Sequence, residues 1–110
     1  MKVSEVSDAL GLKQLNAPDE DREVTGGYSG DLLSWVIGRA APGDAWMTIM
    51  SNVNVAAVGL LADVSMIILA EGVEPDEPLL QKAAQNGIGL YSSPMGAYEL
   101  SWRLKGLLEK

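Results

Sequence analysis

Apolar residues recur along this chain in two alternating rhythms. Near the start, Val3, Val6 and Leu10 fall on one helical face, Ser4, Glu5, Ser7 and Asp8 fall elsewhere, and Gly11 is a natural stop. Leu12–Leu15 reads as an edge strand, and Asn16–Arg22 (NAPDEDR) as a polar, acidic turn. Glu23–Thr25 predicts a short strand. A helix follows over Asp31–Ala41, with Leu32, Leu33, Val36, Ile37 and Ala40 on one face, and Pro42-Gly43-Asp44 breaks it. Ala45–Met50 (AWMTIM) is apolar on both alternating faces, as buried parallel strands are. Val53–Ala62 predicts a helix, Val64–Ala70 (VSMIILA) a second two-faced strand, and Pro75–Asn86 a helix closed by Gly87. Ile88–Ser92 predicts a strand, and Met95–Leu108 the last helix.

Strands alternating with helices behind a leading helix predict an α/β fold: a mostly parallel sheet of four to five strands with helices on both faces. The 110 residues suffice for one domain, taken as 1–110. At 47% hydrophobic content such a chain can bury a core without disulfides or metals.

Composition then narrows the chemistry. The chain has no Cys and no His. It lacks a thiol nucleophile, a thiolate metal site, the commonest general base and the commonest metal ligand, so conventional triads and typical zinc sites are excluded. No metal or cofactor is expected. A net charge of −7, from 8 basic and 15 acidic residues, argues against nucleic acid and against an anionic membrane surface. The start, MKVSEVSD, lacks the apolar core of a signal peptide. Ala45–Ala62 is uncharged but carries Thr48, Ser51, Asn52 and Asn54 at its middle and is barely long enough to span a bilayer. A cytoplasmic protein is the expectation.

The stretch DREVTGGYSGDLLSW, residues 21–35, poses a sharper question, because glycine-rich turns before helices often cradle phosphates. A P-loop needs G-x-x-x-x-G-K-[ST]; here the spacing from Gly26 to Gly30 is wrong, and Asp31 follows where Lys should stand. The dinucleotide fingerprint needs G-x-G-x-x-G, and Gly27 to Gly30 supplies only its second half. A carboxylate at the helix start would compete with phosphate for the positive end of the dipole. The residues favour a strand-to-helix junction whose glycines permit unusual backbone angles and close packing.

In open parallel sheets ligands sit beyond the carboxyl ends of the strands. Four segments are expected on that rim: Thr25-Gly26-Gly27-Tyr28, Ser51-Asn52-Val53-Asn54, Glu71-Gly72 and Ser92-Ser93-Pro94-Met95. Thr25, Gly26, Gly27, Tyr28, Asn52, Asn54, Ser92 and Ser93 are therefore candidate ligand-binding residues for a small polar molecule or a nucleotide. Asn54 and Ser93 also suit helix N-caps, and Pro94 the first helical position. The helix Val53–Ala62 is apolar almost all round, which implies cover on both sides. Trp35 lies opposite Leu32, Leu33 and Val36, and Tyr98 and Trp102 lie off the Leu100/Leu104 stripe. Trp35, Val55, Val58, Tyr98 and Trp102 are the expected interface, and a homodimer the expected assembly.

The same stretch carries a resemblance. Asp21-Arg22 followed by Thr25-Gly26-Gly27 resembles the signature of the DRTGG domain family. The pattern continues through Asp31-Leu32-Leu33-Ser34, Gly43–Ile49, Asn54–Val58, Glu71-Gly72 with Pro75-Asp76, Gly87-Ile88 and Ser92–Met95 with Ala97-Tyr98-Glu99, so it spans nearly the whole chain. Many members carry a His just before the Asn54 region, where this chain has Asn52-Val53. The resemblance implies an α/β domain related to the N-terminal domain of HPr kinase, without that enzyme's phosphate loop. In relatives it accompanies modules such as paired CBS domains in regulated pyrophosphatases and phosphotransacetylases, as a regulatory or dimer-forming element; some free-standing members are encoded near hydrogenase and electron-transfer genes. The expected function is a non-catalytic regulatory or scaffolding domain that forms dimers and takes a small ligand or nucleotide at the rim. The alternatives are an accessory subunit docking on a larger metabolic or electron-transfer enzyme, and a small enzyme using carboxylates such as Asp31 and Glu71.

Overall fold

The computed structural model describes residues 1–110, and its elements follow the chain as α1 (Val3–Leu10), β1 (Lys13–Asn16), β2 (Gly26–Ser29), α2 (Leu33–Arg39), β3 (Asp44–Thr48), α3 (Asn54–Ala62), β4 (Met66–Leu69), α4 (Glu77–Asn86), β5 (Leu90–Ser92) and α5 (Ala97–Leu108). They form one five-stranded sheet in the order β1-β5-β4-β3-β2. Strands β2 to β5 are parallel, and β1 runs antiparallel along β5. The expected α/β architecture is the observed one, and no helix is long and apolar enough to cross a membrane.

The parallel strands lie side by side in chain order, so every crossover steps the same way. Crossovers of one hand then put α2, α3 and α4 on one face, leaving α1 and α5 to cover the other. The buried strands divide their side chains between these layers with period two. Trp46, Ile67 and Leu69 face the core under α2–α4, with Val36, Val55 and Leu79. Ala45, Met47, Met66 and Ile68 face the core under α1 and α5, with Val3, Val6, Leu100 and Leu104. This is why AWMTIM and VSMIILA read as apolar on both faces.

The helix ends show local chemistry at work. Glu5 reaches back to accept the Lys2 N–H at 2.8 Å at the start of α1. Gly11 and Gly87 close α1 and α4 in the left-handed region, at φ 63° and 65°. Most boundaries fall within two residues of expectation. The exception is the second strand. Glu23–Thr25 is not a strand; Glu23 makes only an isolated bridge to Lys2, and the strand is Gly26–Ser29. Glycine disfavours strands, but parallel pairing with Asp44–Met47 overrides that preference.

Candidate functional site

Every residue of the D-R-x-x-T-G-G segment is engaged in holding elements together. Asp21 reaches the start of α1: its Oδ1 accepts the Ser4 N–H at 2.9 Å and its Oδ2 the Ser4 hydroxyl at 2.6 Å. The Ser4 hydroxyl, and then the Ser4 N–H, hold this carboxyl below the ordinary carboxylate range. Arg22 reaches the other end of a different helix. Its guanidinium donates to the carbonyls of Val64 (2.9 Å) and Asp63 (3.2 Å) and pairs with the Asp63 carboxylate at 3.1 Å. Asp63 ends α3 with φ 58°, and its N–H with that of Val64 closes the last turn, so Arg22 clamps the two residues that leave the helix.

The threonine and glycines lock the sheet edge. The Thr25 N–H donates to the Gly43 carbonyl at 3.0 Å. Gly43 has φ +87°, and a Cβ there would lie 2.5 Å from Thr25 Oγ1. A Cβ on Gly26 would lie 2.8 Å from Asp44 Oδ1. That carboxylate is buried, and its other oxygen accepts the Ala41 N–H at 2.8 Å. A Cβ on Gly27 would lie 2.7 Å from Leu104 Cδ2 of α5. Neither Gly26 nor Gly27 has positive φ. Close packing is their reason, and the expected unusual backbone angles are not found. The pair also lies within a strand rather than at a strand-to-helix turn, so its backbone N–H groups do not open a helix N-terminus.

The candidate ligand residues do not come together. Because β2 ends at Ser29, the carboxyl rim begins with Gly30 and Asp31, and Thr25 and Gly26 sit at the opposite end of the strand. Thr25, Gly26 and Gly27 line a cleft of about 650 Å3 with Asp44, Ser101 and Lys105. Tyr28 packs, half buried, against the core under α2–α4. Asn52 Oδ1 accepts the Asn54 N–H at 2.9 Å, so Asn52 holds the start of α3, and Asn54 is its first helical residue rather than its cap. Ser92 and Ser93 line a separate cleft of about 560 Å3 beside Lys13, Gly72, Glu74 and Glu77. Ser93 Oγ accepts the Met95 N–H at 3.0 Å; α5 begins later, with Gly96 at its N-cap. Topology explains the dispersal. A rim crevice opens where neighbouring crossovers diverge, and β2 to β5 never reverse direction across the sheet.

The interface residues also divide. Trp35, Tyr98 and Trp102 are exposed at 51%, 86% and 55%. Val55 and Val58 are buried in the monomer's own core, which corrects their assignment to an interface; the outer side of α3 is Leu60 and Leu61 instead. Leu32 and Ile37, expected on the buried face of α2, are also exposed, and Val36 is that helix's buried anchor. Of the two carboxylates considered for chemistry, Asp31 is engaged: its Oδ1 accepts the Thr48 hydroxyl at 2.8 Å and the Ile49 N–H at 2.9 Å. Glu71 is exposed, with φ 61°. Nowhere do three acidic side chains gather closely enough to hold a metal ion.

No protein-family model matches the chain, and no curated protein does. Among solved structures it is similar to the CBS and DRTGG domains of the regulatory region of Clostridium perfringens pyrophosphatase, a structure complexed with the activator diadenosine tetraphosphate. The TM-score is 0.75 at 18% identity, over 93% of this chain and 45% of that one. This chain thus spans less than half of the chain it matches, and at such identity the likeness speaks for the fold. Sequence motif and architecture agree: the chain is DRTGG-like in fold.

Proposed function

We propose that this chain is a non-catalytic regulatory or scaffolding domain that acts by association, first of all as a homodimer. The observation that carries this reading is the exposed apolar surface of an otherwise acidic domain. Trp35, Leu60, Leu61, Tyr98 and Trp102 are all more than half exposed. Single exposed apolar residues are ordinary, but several large ones on a 110-residue domain mark surfaces that work by being covered. Against catalysis stand the missing His and Cys and the structural employment of Asp31. A cytoplasmic setting suits a cysteine-free acidic domain.

Light scattering across micromolar concentrations tests the proposal. A mass near twice the chain's 11.7 kDa is expected, and a single-chain mass throughout would refute dimerisation. A chain that stays single by itself but joins a larger enzyme in a complex of their summed mass would favour the accessory-subunit reading.

A small neutral ligand beside Ser92 and Ser93 is the second reading, favoured by a cleft built from two loops at the carboxyl rim. The solved neighbour holds a polyphosphate activator, but this cleft sets Glu74 and Glu77 against Lys13, which disfavours a polyanion. Thermal-shift measurements with nucleosides, diadenosine tetraphosphate and neutral metabolites separate the two, since a ligand that binds only the folded state raises the midpoint.

A further inference from the structure

We infer that two copies of this chain pair antiparallel along β2, joining two five-stranded sheets into one across a two-fold axis. This rests on the dimer reading above and names the surface that forms the dimer. The sheet has two edges, and they differ. The β1 edge is guarded by Lys13, by a register irregularity between Gln14 and Asn16, and by Pro18 just beyond. Charge, irregularity and proline are the devices by which proteins keep an edge from pairing. The β2 edge has none of them. Strand β2 pairs only with β3, and Val24 through Gly30 carries no charge and no proline. Its two glycines leave the strand low-walled, and a cleft of about 650 Å3 opens between it and Ser101, Lys105 and Leu108 of α5.

The flanking helices argue that the occupant is a second copy rather than a free peptide. Helix α2 is the outermost helix on its face, with α3 on one side only. Leu33 and Ala40 pack toward the shared core, whereas Leu32, Trp35 and Arg39 form a stripe on the helix flank, about 100° round from it, with the Arg39 guanidinium 3.6 Å from the Trp35 ring. In a right-handed crossover that stripe turns outward past the β2 edge. A lone strand would leave it uncovered. Antiparallel pairing instead lays α2 against α2 of the second copy in opposite directions. Trp35 then meets its counterpart near the axis, and the Asp31 end of one helix faces the Arg39 end of the other, so each half complements itself in charge. An isologous contact of this kind closes at two chains.

The absence of native cysteine makes the geometry measurable. Single spin labels at Ser29→Cys and, in a separate protein, at Lys13→Cys report the distance between copies. Strand spacing puts the two β2 strands about 5 Å apart and the two β1 strands roughly 43 Å apart, nine spacings across the joined sheet. A short Ser29 distance with a long Lys13 distance is the expected result. A short Lys13 distance would place the contact at the guarded edge, and two long distances would place it on a helical face; either overturns the β2 inference while leaving the dimer intact. A single-chain mass would remove both. Leu32→Glu and Trp35→Glu alter exposed positions and should keep the circular dichroism of the parent while raising the dimer dissociation constant at least tenfold; an unchanged constant in both would also overturn the inference.

Discussion

Replacing Gly27 by Ala would place a Cβ 2.7 Å from Leu104 Cδ2 and 3.6 Å from Met47 Cε. Carbon atoms pack best at about 3.5–4.0 Å, so Leu104 must retreat by about 1 Å. It is 2% exposed and wedged between α5 and the sheet. Two effects oppose each other. Removing glycine's freedom from the unfolded chain favours folding by about 0.4–1 kcal/mol. Gly27 itself is exposed at the cleft, but Leu104 is buried, and pushing it further into the core costs about 1–3 kcal/mol. Packing should win, for a net loss of about 1–2 kcal/mol. Leu104→Ala alone should cost about 2–5 kcal/mol and leave room for the new methyl. In that background Gly27→Ala should be near neutral, which gives a coupling of about 1–2 kcal/mol between residues on different elements. Urea unfolding followed by tryptophan fluorescence at one fixed protein concentration measures all four proteins, and an unchanged slope confirms that stability alone is compared. If the two substitutions add to within about 0.5 kcal/mol, or if Gly27→Ala stabilises on its own, the packing account of this glycine is wrong.

Three further substitutions test the rest of the segment and its neighbour. Arg22→Gln removes the clamp on the chain leaving α3 and should cost about 1 kcal/mol in urea unfolding, since the charged hydrogen bonds are partly exposed and the ion pair with Asp63 adds little. Asp21→Asn should lower the melting temperature at pH 7 and lose its effect in acid. The folded carboxyl titrates below its ordinary 3.8, so its stabilisation is complete above that pH and disappears as pH falls through the lowered value. A gap between the two melting curves that failed to narrow as the pH falls below 3.8 would contradict this. Asp31→Ala should cost about 1–2 kcal/mol through the Thr48 and Ile49 hydrogen bonds; a variant as stable as the parent would free Asp31 for another role.

Much of the architecture is legible in the chain because it rests on short-range pattern. The spacing of Val3, Val6 and Leu10, the runs AWMTIM and VSMIILA, and glycines at 11 and 87 each report a local conformational preference. Their order alone implies a parallel sheet. The second strand misled because its four residues include two glycines, and the partner that overrides their preference, Asp44–Met47, lies eighteen residues on. The outer side of α3 was equally hidden. VNVAAVGLLA is apolar all round, so nothing in it distinguishes Val55 and Val58, which are buried, from Leu60 and Leu61, which are not. Packing sets that helix's rotation: Gly59 lies against Ile67 of β4, and Val55, Ala56, Val58 and Ala62 turn into the same core.

The D-R-x-x-T-G-G segment shows the same division most clearly. That DREVTGGYSG is not a standard phosphate loop follows from the string alone, since spacing and the missing Lys are visible there, as is the DRTGG likeness. What each residue does was decided by tertiary contact. Asp21 caps a helix seventeen residues earlier, Arg22 clamps the chain leaving another about forty residues later, and Gly27 yields to Leu104 from the far end of the chain. Helix and strand preferences are read over a few neighbouring residues, so the chain can state them locally. Caps, close approaches and a sheet's open edge depend on which distant segments arrive, and only the assembled fold brings those segments together.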